Sequence, residues 1–185
     1  MLTNDKVEMR FSGYGGQGVV LASMIYGTAL AKEGYNVIQT QAYGIEARGG
    51  ASSGEVIYSK HTINHLHVTV PDVLLALTQE ACNKYAPGVR PGGIIICDSF
   101  YIESFPQRND VTVYKAPLTE MAIKQMGKEM FTNTLAMGFV AGILRNVSQE
   151  NLMAALVDLV GNKSIEENRR ALSLGFEEAE KCSIK

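Results

Sequence analysis

Arg10-Phe11-Ser12-Gly13-Tyr14-Gly15-Gly16-Gln17-Gly18-Val19-Val20 decides how this chain is read: a short apolar run breaks into four glycines and then resumes with helix-like spacing. Glycine gathers where the backbone needs positive φ, or where something approaches closer than a Cβ would allow. Gly13, Gly15 and Gly18 satisfy the dinucleotide spacing G-x-G-x-x-G, and Gly13 with Gly18 supplies the outer glycines of a P-loop. A P-loop continues with Lys and then Ser or Thr to meet the phosphates and the magnesium; Val19 and Val20 stand there instead, against nucleoside triphosphate hydrolysis. A dinucleotide site wants a carboxylate at the end of the second strand for the ribose hydroxyls. The second apolar run, Val37-Ile38-Gln39-Thr40-Gln41, has none. What remains is a strand, a tight turn and a helix N-terminus offering backbone N–H groups to an anion. The alternative is a turn that only lets the helix pack closely on a sheet, and these residues leave both open.

Working outward, 185 residues suit one domain spanning 1–185, large enough to bury a core. A net charge of −2 argues against a nucleic-acid partner. Cys82, Cys97 and Cys182 form no C-x-x-C pair, too few for an iron–sulfur ligand set, and their scatter suits a reducing compartment. Residues 1–6 include Asn4, Asp5 and Lys6 and no apolar leader, so the expected location is cytoplasmic, with no membrane partner.

Val7–Ser12 reads as the first strand. The helix after the turn is unusual, because Val19–Ala31 carries no charge and its large apolar side chains fall all round the wheel. A helix on one sheet face should keep a polar stripe, so this one is expected to be buried on several sides. The segment 42–51 is too short for a crossover helix and leads from the strand ending at Gln41 straight into the strand Ser52–Tyr58, which predicts a mixed sheet. Ser59–Val70 holds His61, His65 and His67; a polar hairpin edge and a metal site are the two readings. Val73–Thr78 and Ile94–Cys97 read as buried parallel strands. Asp98 ends the latter, either as a ligand group or as a turn cap. A short helix from Thr78 or Gln79 to Tyr85 lies between them. Val111–Lys115 is the next strand, and Pro117 opens a helix to about Met126. Met130–Leu144 is a second charge-free helical run, too short to span a bilayer. Ser148 and Ser164 start the last two helices, ending near Val160 and Glu180. The pattern predicts an α/β three-layer sandwich with a mixed, mostly parallel sheet and a helical C-terminal third.

Three stretches carry a resemblance to a known family: Gly13-Tyr14-Gly15-Gly16-Gln17-Gly18-Val19, Gln41-Ala42-Tyr43-Gly44-Ile45-Glu46-Ala47-Arg48-Gly49-Gly50 and Pro71-Asp72-Val73-Leu74. In this order the chain resembles, over about residues 9–145, the gamma subunit of the 2-oxoacid:ferredoxin (acceptor) oxidoreductases, most nearly the 2-oxoglutarate type. The resemblance implies a part of an enzyme that oxidatively decarboxylates a 2-oxoacid, such as 2-oxoglutarate, pyruvate or ketoisovalerate, to an acyl-CoA with reduction of ferredoxin. It implies alpha and beta partner subunits and a ferredoxin-like delta subunit, with thiamine diphosphate, magnesium and iron–sulfur clusters carried by those partners and no catalytic or metal residue here.

Coenzyme A is a polyanion, which a glycine turn at a helix N-terminus accepts without an acidic ribose clamp. The candidate contacts are Gly13, Gly15, Gly16, Gln17 and Gly18 in the turn and Tyr43, Glu46, Arg48, Gly49 and Gly50 in the loop. Arg48 suits a bidentate contact to phosphate; an ion pair with Glu46 or with a partner carboxylate is its other reading. The charge-free helices are expected to meet other subunits, or a second copy in isolation. Two alternatives stand: a free-standing dinucleotide-binding oxidoreductase, and a structural subunit whose turn only packs.

Overall fold

Strand β1 (Lys6–Gly13) alternates, and the alternation builds both faces of the protein in the computed structural model, which describes residues 5–42 and 51–183. Val7, Met9 and Phe11 point into the main apolar core, while Glu8, Arg10 and Ser12 face the other way, since successive side chains alternate across a strand. The further elements are α1 (Val19–Lys32), β2 (Asn36–Ala42), β3 (Ser52–Ser59), β4 (Val73–Ala76), α2 (Gln79–Tyr85), β5 (Ile94–Asp98), β6 (Thr112–Ala116), α3 (Leu118–Met126), α4 (Thr132–Leu144), α5 (Gln149–Val160) and α6 (Ile165–Ser183). The six strands run in the order β2-β3-β1-β4-β5-β6. β3 is antiparallel to both its neighbours, and the remaining pairings are parallel, so the sheet is mixed as the missing crossover helix requires.

α1, α3, α4, α5 and α6 build the core over one face; α2 and extended segments cover the other. Thr78 caps α2 by accepting from the Ala81 amide (3.2 Å), and Ser148 caps α5 by accepting from Asn151 (3.2 Å). The run from Met130 does not begin as α-helix: Glu129–Phe131 is one 3-10 turn, and α4 starts at Thr132.

The two charge-free helices are covered for the most part by their own chain, buried on several sides as their lack of a polar stripe predicts. α1 lies between the sheet and α5, leaving Met24 as its one large exposed apolar side chain. From Thr134 to Ala141, α4 is buried throughout. The cover is α6, and small residues let it come close: Gly138 and Gly142 of α4 face Gly175 and Ala179 of α6. A Cβ on Gly138 would overlap the Leu172 carbonyl, and one on Gly142 would press on the Ala179 Cβ.

Ser59–Val70 is not a hairpin edge, since β3 is flanked on both sides. After β3 the chain crosses the polar face as an extended strap held by buried charge. Glu8 accepts from the Thr69 amide (3.2 Å) and from Lys6 and His65; Glu55 accepts from the Val68 amide (3.2 Å) and from Arg10, which also donates to the Val68 carbonyl (2.9 Å). His65 therefore serves this layer. Among the described residues, no group of three His, Cys, Asp or Glu side chains is arranged to hold a metal ion. No helix among them is long and apolar enough to cross a membrane.

Candidate functional site

β1 delivers Gly13 to the end of the sheet where its parallel neighbour β4, and β5 beyond it, also finish, the edge at which open α/β sheets place ligands. Two of the turn glycines are required by the backbone itself. Gly16 lies at φ 100°, and Gly18, the N-cap of α1, at φ 73°, in the left-handed region that a side chain strains. Gly18 has a second constraint, because a Cβ there would overlap the Asn133 amide at the start of α4. Gly18 makes no side-chain cap, and α1 opens with no acidic residue in its first turn. The first N–H groups of the helix therefore look out over the turn.

Gln17 folds back over the turn. Its Oε1 accepts from the Tyr14 amide (3.0 Å) and its side chain lies against Gly13, while its Nε2 is buried with no hydrogen-bond partner. A cleft of about 540 Å³ opens beside it, lined by Tyr14, Gly16–Gly18, Leu21, Glu129, Met130, Thr132 and Asn133. Glu129 accepts from the hydroxyls of Tyr14 (3.3 Å) and Tyr101 (2.9 Å), whose rings meet edge to face at 6.2 Å. The contact with Tyr14, then burial and Glu129, hold the Tyr101 phenol above its ordinary pKa, so it stays a donor. Phe100 stacks edge-on to Tyr101 at 4.8 Å, and Met130 projects 70% exposed at the rim.

Asp98 resolves as a cap and not a ligand group. Buried at the end of β5, it accepts from the Phe100 amide (3.1 Å), the Thr119 amide (3.2 Å) and the Thr119 hydroxyl (2.5 Å), fixing the Phe100–Tyr101 turn to the start of α3. Burial pushes its carboxyl above the usual range and these hydrogen bonds oppose the rise.

Of the residues predicted for the site, Gly13, Gly15, Gly16, Gln17 and Gly18 form the turn. Tyr43, Glu46, Arg48, Gly49 and Gly50 lie outside the described residues. The brackets of that loop are described: Gly13 pairs with Ser52, and Ser53 with Ala42, so both its ends start from the glycine-turn edge. Sequence reasoning missed Glu129, Tyr101 and Phe100. Asn133 carried a signal, as the polar residue that interrupts a charge-free helix.

A glycine turn opening a helix at the carboxyl edge of a mostly parallel sheet, with one antiparallel strand and an α-helical cover, defines an α/β subunit of Rossmann-like build without the dinucleotide clamp. The chain matches the family described as pyruvate ferredoxin/flavodoxin oxidoreductase over residues 8–178, and it belongs to that family. It is 38% identical over 175 residues to the 2-oxoglutarate synthase subunit KorC of Methanocaldococcus jannaschii, covering 93% of each chain. Its fold superposes with TM-score 0.84 on the gamma subunit of a keto/oxoacid ferredoxin oxidoreductase from Geobacter sulfurreducens, at 37% identity over 95% of this chain and 99% of that one. With TM-score 0.86 and 24% identity, 96% of it also matches the fold of 32% of a chain of the 2-oxoglutarate:ferredoxin oxidoreductase of Magnetococcus marinus, solved with 2-oxoglutarate, coenzyme A and succinyl-CoA bound. The chain is a gamma subunit of a 2-oxoacid:ferredoxin oxidoreductase complex.

Proposed function

We propose that this gamma subunit packs on thiamine diphosphate-binding alpha and beta subunits and presents the glycine turn, with the 43–50 loop, to the phosphates of coenzyme A. 2-Oxoglutarate is the oxoacid favoured by the likeness to the KorC subunits. The thiamine diphosphate would perform the decarboxylation on the partners; this chain's residues would bind and orient the acyl acceptor. The observation that carries the reading is the unpartnered Gln17 Nε2, buried beside a cleft whose lining includes Gly18 and Leu21 at the N-terminus of α1. A buried donor without an acceptor costs about 1–3 kcal/mol, and a phosphate or carbonyl oxygen of a ligand would supply that acceptor.

One specific observation favours the structural alternative: Gln17 Oε1 already occupies the Tyr14 N–H, and the described lining of the cleft includes Glu129 and no cation. Arg48→Ala in the assembled complex separates the two readings. A contact made equally in ground and transition states raises KM and leaves kcat nearly unchanged. Loss of a charged hydrogen bond worth about 1.5–3 kcal/mol corresponds to a roughly 10- to 100-fold rise in KM for coenzyme A, with KM for the oxoacid unmoved. An intact complex with unchanged KM for coenzyme A would leave the turn a packing device.

A further inference from the structure

Two of the three thiols face each other on the side of the sheet away from the third. Cys82 on α2 and Cys97 on β5 place their sulfurs 3.9 Å apart inside the smaller apolar core, whereas Cys182 packs against the larger one. Cys97 is fully buried, and only Cys82, at 2% exposed, borders open space. Cys82 lines a cleft of about 360 Å³ whose other wall is Ser104–Arg108. We propose that Cys82 and Cys97 are an oxidisable dithiol that a peroxide entering this cleft closes to an intramolecular disulfide.

Reaching a covalent S–S length of about 2.05 Å asks the sulfurs to approach by about 1.9 Å. The hydrogen bond between them divides the roles, lowering the pKa of Cys82 and, together with burial, raising that of Cys97. Cys82 is the thiol that borders the cleft, so it is the one an entering peroxide meets, and as the thiolate it attacks. Its sulfur takes the distal oxygen of hydrogen peroxide, giving a sulfenic acid and hydroxide. Cys97 then displaces that hydroxyl as its own proton passes to the leaving oxygen. In sum two thiols and one peroxide yield one disulfide and two waters, the first reversible step of the thiol oxidation ladder. The bond would fasten α2 to β5 one residue before Asp98, the carboxylate that positions Phe100 and α3 beside the glycine turn.

The test treats the full chain, in its native buffer, with stoichiometric hydrogen peroxide, blocks the remaining thiols with an alkylating agent and maps non-reduced peptides by mass spectrometry. The expected result is loss of two of three thiols, a peptide joining Cys82 to Cys97, an alkylated Cys182, and recovery of all three by dithiothreitol. In Cys97→Ala the reaction should stop at a Cys82 sulfenic acid that dimedone captures. Three alkylatable thiols after oxidation, consumption of Cys182 alone, or over-oxidation of Cys82 in the wild-type chain without the joined peptide would each overturn the proposal. Because the wild-type chain carries the primary readout, misfolding of a variant does not blunt the test.

Discussion

Replacing Gly175 with Ala tests the account of how the chain covers its own apolar helices. Gly175 sits mid-way along α6, where intrinsic propensity alone says the change should help: alanine is favoured over glycine in a helix interior by about 0.8–1 kcal/mol. The packing says the opposite. A Cβ there would overlap the Leu135 carbonyl oxygen and stand 2.6 Å from the Phe139 amide nitrogen, both in the backbone of α4. A flexible side chain could swing aside; a helix backbone cannot, so α6 would have to lift from α4. Overpacking a tight interface costs about 1–3 kcal/mol and sometimes more. Backbone on the receiving side places this case at the upper end. The net expectation is destabilisation of roughly 2 kcal/mol after the propensity gain, or about 4–8 °C in Tm for a domain of this size.

Chemical denaturation of the isolated subunit measures it, with Gly161→Ala as a comparison, whose cost arises from positive φ with open space around it. The variant should also bind an apolar-surface dye, because lifting α6 uncovers the buried face of α4. A Gly175→Ala protein as stable as the wild type, or more stable, would mean that the α4–α6 approach is looser than described, and the cover of α4 would have to be sought in other subunits after all.

Two further outcomes follow from the polar face and from strand β2. Burial pushes the Glu8 carboxyl up, but hydrogen bonds from Lys6, His65 and Thr69 outweigh it and hold the group below its ordinary value. Its contribution is therefore present above the unfolded pKa and is lost as pH falls through the folded one. Glu8→Ala should cost about 1.5–3 kcal/mol near pH 7 and progressively less below about pH 4, with faster amide exchange at Thr69; a cost that stays constant down to pH 3 would contradict the ion-pair account. Calorimetry should show no micromolar binding of NAD or NADP, since β2 ends in Gln39-Thr40-Gln41-Ala42 without a carboxylate; micromolar binding with a ribose contact at this strand would overturn that argument.

Much of the fold was legible because it rests on local signals. The glycine turn, the missing helix between β2 and β3, and the Thr78 and Ser148 caps are each written in fewer than a dozen neighbouring residues. The covering of α1 and α4 was not legible in the same way. Periodicity tells how much of a helix surface avoids water but not which chain hides it, and the small residues Gly175 and Ala179 had meaning only once Gly138 and Gly142 were set against them. The strap over β1 and β3 was hidden for a similar reason. Lys6-Val7-Glu8-Met9-Arg10-Phe11-Ser12 alternates plainly, yet nothing local says that the polar half is buried under residues some 60 positions later. At the site, the turn was readable and its neighbours were not: Glu129 and Asn133 arrive from more than a hundred residues downstream.

Those late arrivals change the electrostatics of the turn. The end of an exposed helix favours an anion by about 0.3–1 kcal/mol. A carboxylate lining the same cleft opposes it: at an effective dielectric of about 20, unit charges still interact by about 2 kcal/mol at a separation of about 8 Å. Tyr14 and Tyr101 donate to Glu129 and disperse its charge without cancelling it. The α1 terminus alone would therefore hold a phosphate poorly against Glu129, and a cation is required to reverse the balance. Among the described lining residues there is none. The loop whose two ends rise from the paired Gly13–Ser52 and Ala42–Ser53 positions carries one in Arg48, and partner subunits are the other source. On this reasoning, affinity for a polyanionic acyl acceptor belongs to the assembled complex and not to the glycine turn by itself, and the Arg48 substitution must be read there.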